Sequence, residues 1–312
     1  MSSLPCPALV LPTMAALTMA ALAMSACAPS ADPAAGDEES MTVLASFYPV
    51  QFVAERVGGE HVEVGSVTPP GAEPHNLELS PAKVAELTDA SVVVYASGFQ
   101  DAVDEAVKQT APDHAIDVVN AAHLSSASGG TSEDVASDDE GAVDPHFWLD
   151  PERLVDVTNL VAERFSDVDP ENGDSYRANA KALTQELTAL DDEFRTGLAT
   201  CERRTIVVAH EAYGYLADRY DLEQEGVSGI DPESEPAPAR IAKIRRVIEG
   251  EDVTTIFTES LVNPKVAETL ASDLGVETAL LDPLESHTAS NGDYVDIMQS
   301  NLVSLRKALS CE

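Results

Sequence analysis

Residues 171–199, ENGDSYRANAKALTQELTALDDEFRTGLA, form the stretch that decides how this chain is organised. Apolar residues recur in it at spacings of three, four and seven, which places them on one face of a helix. They are Tyr176, Leu183, Leu187, Leu190, Phe194 and Leu198. A helix of this length would run about 43 Å, longer than a small domain is wide. The stretch therefore predicts a rigid helix between two lobes; the alternative is a single domain with one long surface helix.

Strand and helix patterns alternate on both sides of this helix. Before it, the continuous apolar run SVVVYAS (residues 91–97) is typical of a buried parallel strand, and after it RTIVVAH (residues 204–210) has the same character. Alternating strands and helices predict parallel sheets with right-handed crossover connections. The predicted fold class is therefore α/β, with two lobes, each a mostly parallel sheet flanked by helices, joined by one long rigid helix.

The predicted domain boundaries follow from this pattern. We expect an N-terminal lobe over residues 41–170, the connecting helix over residues 171–199 and a C-terminal lobe over residues 200–312. Each lobe is expected to have its own core. Within the first lobe, residues 120–143 are rich in Ser, Gly, Ala and acid, which predicts a mobile acidic loop.

Composition excludes some classes of partner. The 312 residues include 55 acidic and 18 basic side chains, which gives a formal net charge of −37. Such a charge argues against binding to nucleic acid and against electrostatic adhesion to anionic lipid. It is consistent with a soluble surface, or with a protein that gathers cations. We expect a monomer.

The N-terminus has the features of an export signal. The first 27 residues carry no charge, and an apolar run from about residue 9 to residue 24 precedes Ser25-Ala26-Cys27. This predicts a signal peptide over residues 1–26. Cys27 resembles the lipidated cysteine of a bacterial lipobox, although Met24 replaces the usual leucine and the positive n-region is missing. Residues 27–40 are then a lipidated, flexible tether, and the protein is anchored at the outer face of the cell membrane, in the periplasm if the cell has an outer membrane.

The remaining cysteines suggest a disulfide. Of the four cysteines, Cys6 lies in the predicted signal and Cys27 at the predicted anchor. Cys201 and Cys311 are left, and an exported protein meets oxidising conditions. We therefore predict that these two cysteines form a disulfide.

Three histidines and an aspartate stand where loops are expected. His75 and His146 belong to the first lobe, and His210 and Asp282 stand at the ends of strands of the second. A cleft between the lobes could receive all four, and three imidazoles with one carboxylate suit Zn²⁺. Taken singly, each histidine could equally be a hydrogen-bonded structural residue, and the spacings match no short metal motif.

Several segments resemble the metal-binding subunit of bacterial zinc/manganese ABC transporters, in the cluster that carries a long inter-lobe helix. The similar segments run through nearly the whole chain beyond residue 41. They are PHNLELSP (74–81), DPHFWLD (144–150), VVAHEAYGYLADRY (207–220), GIDPESEPAPARIAKI (229–244), IFTESLVNPKVAETLA (256–271) and LLDPLE (280–285).

This resemblance implies a function. The protein is expected to capture Zn²⁺ as a transported substrate between its lobes and to deliver it to an ABC permease and its ATPase. Histidine at position 210 favours zinc over manganese, because manganese members usually have glutamate there. A manganese- or iron-binding member of the family, or a metal-binding surface adhesin without a transport role, are the alternatives.

The resemblance implies the ligands His75, His146, His210 and a carboxylate. Asp282 matches an acid that several members use, so we predict it as the fourth ligand. Glu259 also lies near the cleft in this family and is a possible alternative that binds directly, through water or not at all. Many zinc members have a His-rich loop where this chain has residues 120–143, but that segment contains His123 alone and is expected to be a solvated spacer.

No pattern in the sequence favours an enzyme. His210-Glu211 begins like the zinc-protease pattern H-E-x-x-H, but position 214 is Gly214, so the second helical ligand is missing. A catalytic zinc site also needs an open coordination position and a general base. We therefore expect a binding protein rather than an enzyme.

Overall fold

The structure is a computed structural model that describes residues 40–125, 143–287 and 292–312. Residues 40–312 form one compact unit. The predicted signal peptide, Cys27 and the tether up to residue 39 lie outside the described residues. So does most of the predicted acidic loop, residues 126–142, while its first residues belong to a short helix.

The N-terminal lobe is built on a four-stranded parallel sheet. Its strands are β1 (Met41–Ala45), β2 (Val62–Ser66), β3 (Val92–Tyr95) and β4 (Ala115–Asp117), and their order is β2-β1-β3-β4. The helices are α1 (Tyr48–Gly58), α2 (Pro81–Asp89), α3 (Asp101–Thr110) and α4 (Val119–Ala122).

The C-terminal lobe repeats this topology. Its strands are β5 (Thr205–Val208), β6 (Glu223–Gly226), β7 (Thr255–Thr258) and β8 (Glu277–Leu280), in the order β6-β5-β7-β8, again all parallel. The helices are α7 (Gly214–Tyr220), α8 (Pro238–Gly250), α9 (Lys265–Leu274) and α10 (Tyr294–Leu309). The predicted α/β fold with two parallel-sheet lobes is therefore confirmed.

Two long helices come between the strands of the first sheet and those of the second in chain order. Helix α5 spans Pro151–Val168 and helix α6 spans Gly173–Gly197, so α6 has 25 residues and is slightly shorter than the predicted stretch. All six residues of the predicted apolar stripe are buried, each at 1% exposure or less. Helix α6 packs along α5 and also contacts α1 and α10. Because α1 follows β1 and α10 follows β8, α6 is in contact with both lobes.

The core differs from the expectation of one core for each lobe. Val43 of β1 and Ile206 of β5 face the same continuous apolar cluster, which also includes the buried stripe of α6. The alternate residues, Leu44 and Val207, face two separate clusters on the outer sides of the sheets. Side chains of a strand alternate between its two faces. Each sheet therefore packs one face against the cluster common to both lobes and the other face against a cluster of its own lobe. Separating the lobes would expose the shared cluster to water.

None of the helices in the described part of the chain is both long enough and apolar enough to span a membrane.

Cys201 and Cys311 are joined by a disulfide, as the sequence predicted. The two residues also form an isolated antiparallel bridge. Cys201 lies between α6 and β5, and Cys311 lies just after α10. The disulfide therefore ties the last helix of the chain to the start of the second sheet.

We predict that replacing Cys201 and Cys311 with Ser lowers the free energy of unfolding by about 2–5 kcal/mol. The physical reason is that the disulfide closes a loop with a sequence separation of 110, which restricts the unfolded chain. Urea unfolding with and without a reductant measures the effect, and the variant itself serves as the control that should not respond to reductant. Equal midpoints for the variant and the oxidised protein would contradict this prediction.

Candidate metal centre

Four side chains that can bind a metal ion meet between the two lobes. His75 lies in the loop after β2, and His146 directly precedes the 3-10 turn Phe147–Leu149 that leads to α5. His210 comes two residues after the end of β5, and Glu285 comes five residues after the end of β8. In open parallel sheets the loops beyond the carboxyl ends of the strands form the binding crevice. The fold brings these residues together in that way.

The donor atoms converge closely, all within 4.8 Å of one another. Glu285 Oε1 lies 3.1 Å from Nε2 of His146, 3.1 Å from Nε2 of His210 and 3.2 Å from Nε2 of His75. The Nε2 atom of His146 is 3.2 Å from that of His75 and 3.4 Å from that of His210. The side chain of His75 is 9% exposed, and the other three are exposed by at most 1%. Three nitrogens and one oxygen thus face one another almost out of contact with solvent.

Two further carboxylates orient the imidazoles. Nδ1 of His146 lies 2.8 Å from Asp144 Oδ1, and Nδ1 of His210 lies 2.7 Å from Glu259 Oε1. An ionised carboxylate only accepts hydrogen bonds, so Nδ1 of each ring is the donor. Nε2 of each ring is then the atom left to bind a metal or a second proton, and such carboxylate–histidine pairs are usual behind metal ligands.

Charge in the cluster favours protonated histidines and an ionised glutamate when no metal is bound. Burial disfavours the imidazolium form of His146, but hydrogen bonds to Asp144 and Glu285 outweigh it and raise the pKa of His146. Burial likewise opposes the charge of His210, yet Glu259 and Glu285 hold the pKa of His210 well above its usual value. Burial also disfavours the Glu285 carboxylate, but the charge of His210 and the hydrogen bonds of the three imidazoles keep the pKa of Glu285 well below its usual range.

These pKa directions define what the cluster can exchange. The carboxylates of Asp144, Glu259 and Glu285 need positive charge beside them in a place with little water. The raised pKa values of His146 and His210 favour protons on these rings when no metal is bound. A divalent ion brings positive charge in their place and needs the lone pair of each Nε2 for coordination. The cluster is therefore suited to exchange protons for a divalent metal ion.

The structure brings together His75, His146 and His210 as the sequence predicted, but the carboxylate among them belongs to Glu285. Asp282, the predicted fourth ligand, lies three residues earlier, and its Oδ1 accepts a hydrogen bond from the N–H of Leu284 at 2.8 Å. Burial raises the pKa of Asp282. Sequence reasoning missed Glu285, although the acid was present at the end of the segment LLDPLE.

Glu259 lies behind His210 and not among the four converging atoms. Its Oε1 is bonded to His210 Nδ1, and its Oε2 is buried without a hydrogen-bond partner among the described residues. Glu259 also lines a cleft of about 510 Å³ together with Glu73. Glu73 accepts a hydrogen bond from the N–H of His75 at 2.9 Å. The cleft therefore lies next to the cluster, and it is lined by Glu73 and Glu259, which bond to His75 and His210.

Gly214, which breaks the zinc-protease pattern, has a steric role instead. It is the first residue of α7, and a Cβ atom at this position would lie 2.6 Å from Asp144 Oδ2. Any side chain at position 214 would displace the carboxylate that orients His146. The glycine thus allows α7 and the His146 segment to approach closely.

The loop that carries His75 is fastened to the other lobe by polar contacts. The N–H of Gly71 donates to Ser286 Oγ at 2.7 Å, and Asn76 Nδ2 donates to Glu233 Oε2 at 3.1 Å. These groups are exposed, so such bonds contribute little to stability. The His75 loop is therefore joined to the second lobe mainly by exposed polar contacts.

Residues 43–308 match the protein family described as zinc-uptake complex component A, periplasmic. The match includes all four converging residues and both sheets.

Two curated relatives illustrate the similarity. The high-affinity zinc uptake system protein ZnuA of Bacillus subtilis (strain 168) is 31% identical over 282 residues, which cover 87% of this chain and 88% of the relative. The zinc-binding protein AdcA of Streptococcus pyogenes serotype M6 is 30% identical over 288 residues, which cover 86% of this chain. Those residues span 56% of the length of that streptococcal relative.

Solved structures share the fold. The AdcAII protein of Streptococcus pneumoniae superposes with a TM-score of 0.77 at 30% identity, covering 86% of this chain and 99% of that one. The laminin-binding protein Lmb of Streptococcus agalactiae, described as bifunctional with adhesin and metal-transporting activity, superposes with a TM-score of 0.75 at 31% identity. That comparison covers 86% of this chain and 100% of the other.

Protons should compete with metal ions at this centre. Because the pKa values of His146 and His210 are raised, both rings hold protons to a pH above the ordinary 6.5. We therefore predict that metal affinity falls as the pH is lowered, that the fall begins above pH 6.5, and that it is about tenfold per pH unit for each proton displaced. Isothermal titration in buffers of different ionisation enthalpy measures affinity and proton release together.

The variant Asp144→Asn tests the cause of this pH dependence. It removes the carboxylate that raises the pKa of His146, so the fall in affinity should move to lower pH, while the maximum affinity drops about 10- to 100-fold. An affinity that stays constant from about pH 8 to about pH 5.5 would contradict the assigned proton competition.

Proposed function

The chain belongs to the family of periplasmic zinc-uptake complex A components, and we propose that it is the extracytoplasmic zinc-binding component of an ABC importer. It captures Zn²⁺ between its lobes with His75, His146, His210 and Glu285 and delivers the ion to a membrane permease driven by an ATPase. The observation that carries this proposal is the convergence of three Nε2 atoms on Glu285 Oε1. Family membership supports the transport role.

The donor set favours zinc over manganese. Three imidazole nitrogens and one carboxylate oxygen form the four-coordinate set that Zn²⁺ accepts readily in proteins. Mn²⁺ prefers oxygen ligands in octahedral arrangements, whereas three of the four residues that converge here offer nitrogen. The zinc-binding names of the relatives agree with this preference.

The affinity of the centre for zinc depends on how easily its histidines lose their protons. Zinc binding displaces protons from His146 and His210, so the centre binds most tightly where those protons are easily lost. All four positions are taken by protein atoms, so no open position remains for a substrate molecule, as a catalytic zinc would require. The centre is therefore suited to hold an ion rather than to perform chemistry on a bound molecule.

Adhesion is the second candidate function. The laminin-binding adhesin Lmb has the same fold and is described as having both activities. An adhesive role would use the outer surface of the protein, whereas the observations above concern the buried centre. Transport is the function that the centre supports, and the protein acts as a monomer that docks on its permease.

The variants His210→Ala and Glu285→Ala test the proposed zinc centre. Each removes one of four ligands, so we expect zinc affinity to fall by orders of magnitude in both, while Mn²⁺ binds more weakly than Zn²⁺ in the unmodified protein. Competitive titration of the purified mature protein with chelators of known affinity measures these differences.

His114→Ala is the matched control. His114 lies beside the first sheet, where its Nε2 is 3.3 Å from the carbonyl oxygen of Leu87, and it is not among the converging residues. Its loss should leave zinc affinity unchanged. Tight zinc binding that survives both His210→Ala and Glu285→Ala would rule out the centre.

We also propose that Cys27 carries the lipid that holds the protein at the outer face of the membrane. The proposal rests on the sequence Ser25-Ala26-Cys27 after an apolar segment. Replacing Cys27 with Ala should move the protein from the membrane fraction to the medium or the periplasm in a fractionation experiment. A variant that remains membrane-bound would show that the anchor lies elsewhere.

A further inference from the structure

A five-residue turn after β8 presents Glu285 to the metal centre. It spans residues 281–285 and has the sequence LDPLE. Leu284 has a φ of 58°, in the left-handed region that a leucine adopts only when its surroundings impose it. The direction of the neighbouring Glu285 side chain therefore depends on the contacts that hold this turn.

Asn301 of α10 holds the middle of the turn from outside the metal cluster. Its Oδ1 accepts a hydrogen bond from the N–H of Asp282 at 2.9 Å, and its Nδ2 donates to the carbonyl oxygen of Asp282 at 2.7 Å. The carboxylate of Asp282 in turn accepts from the N–H of Leu284 at 2.8 Å. Asn301 is 3% exposed and Asp282 9% exposed. Because these bonds form away from water, removing one partner leaves a buried polar group unsatisfied.

The same face of α10 supports a second part of the centre. Trp148 Nε1 donates to the carbonyl oxygen of Pro283 at 2.7 Å, and the hydroxyl of Tyr294 donates to the carbonyl oxygen of Trp148 at 2.6 Å. Tyr294 and Asn301 are seven residues apart on α10, so they lie on one side of the helix. Helix α10 thus holds the turn that carries Glu285 and also the segment just after His146.

We propose that Asn301, acting through Asp282, is a positioning residue that sets the metal preference of the centre by fixing the point from which Glu285 meets the three imidazoles. This inference rests on the proposed zinc-binding function. Glu285 Oε1 faces the three imidazoles, while its Oε2 is buried without a hydrogen-bond partner among the described residues. A carboxylate fixed there completes, with three nitrogens, the four-coordinate set that suits Zn²⁺. A loosened turn lets the carboxylate move away from the nitrogens and weakens this set, whereas Mn²⁺ prefers oxygen ligands and depends less on it.

Asn301→Ala removes both hydrogen bonds to Asp282 and leaves all four ligand side chains in place. We expect zinc affinity to fall about 10- to 100-fold, the usual range when a group that orients a metal ligand is lost. Manganese affinity should stay the same or rise, so the ratio of zinc to manganese affinity falls. Competitive titration of the full mature protein with each ion alone measures this ratio.

Leu305→Ala is the matched control for a general loss of stability. Leu305 is fully buried on α10, one turn beyond Asn301, and its truncation leaves every hydrogen bond of the turn intact. It should lower the unfolding midpoint without changing the ratio of metal affinities. The same ratio in Asn301→Ala and in the unmodified protein would overturn the proposal.

Two variants of Asp282 test the same contacts without altering α10. Asp282→Asn keeps a side-chain oxygen that can accept from the N–H of Leu284, so it should retain most of the zinc affinity, whereas Asp282→Ala should behave like Asn301→Ala. Equal and severe losses of zinc affinity in both Asp282 variants would show that Asp282 is itself a ligand and would overturn its positioning role. Failure of the unmodified protein to bind zinc would instead refute the proposed function.

Discussion

One carboxylate oxygen lies within hydrogen-bonding distance of three imidazole nitrogens at a place almost closed to water, and positive charge is needed to hold these groups there. Glu285 forms the meeting point, and Asp144 and Glu259 add two more negative charges behind His146 and His210. Unpaired charges at such a place are costly, so the cluster must hold protons or a cation. The convergence of the three Nε2 atoms on Glu285 Oε1 is the observation from which the proposed function follows.

The rest of the fold keeps this cluster closed. The two sheets present their inner faces to one continuous apolar core, and helix α6 runs along it in contact with elements of both lobes. Wide opening of the lobes would expose that core to water, so metal binding is expected to involve only modest movement. The disulfide between Cys201 and Cys311 adds a covalent tie at the end of α10, the helix that supports the Glu285 turn. Stability and metal binding therefore depend on the same central elements.

Much of this architecture could be predicted from the sequence, and the failures have physical causes. The stripe of α6 could be predicted because helical periodicity is clear over 25 residues. The three histidines were singled out by their positions at loops, but only the resemblance to the transporter family indicated that they bind a metal together. The shared core could not be predicted, since strands such as Val92–Tyr95 are apolar on both faces and periodicity does not tell which face meets which neighbour. The sequence did not indicate that Glu285 rather than Asp282 converges on the histidines, because the direction of each side chain depends on the conformation of the 281–285 turn, where Leu284 has a positive φ.

Anomalous diffraction at the zinc absorption edge, from crystals of the zinc-loaded protein, tests the central claim most directly. The account predicts a single strong peak bonded to Nε2 of His75, His146 and His210 and to Glu285 Oε1, with bond lengths of about 2.0–2.2 Å. Asp282 should remain bonded to the N–H of Leu284 in the same crystals. A peak coordinated by Asp282 or Glu259 in place of Glu285, or a peak away from the three histidines, would contradict it.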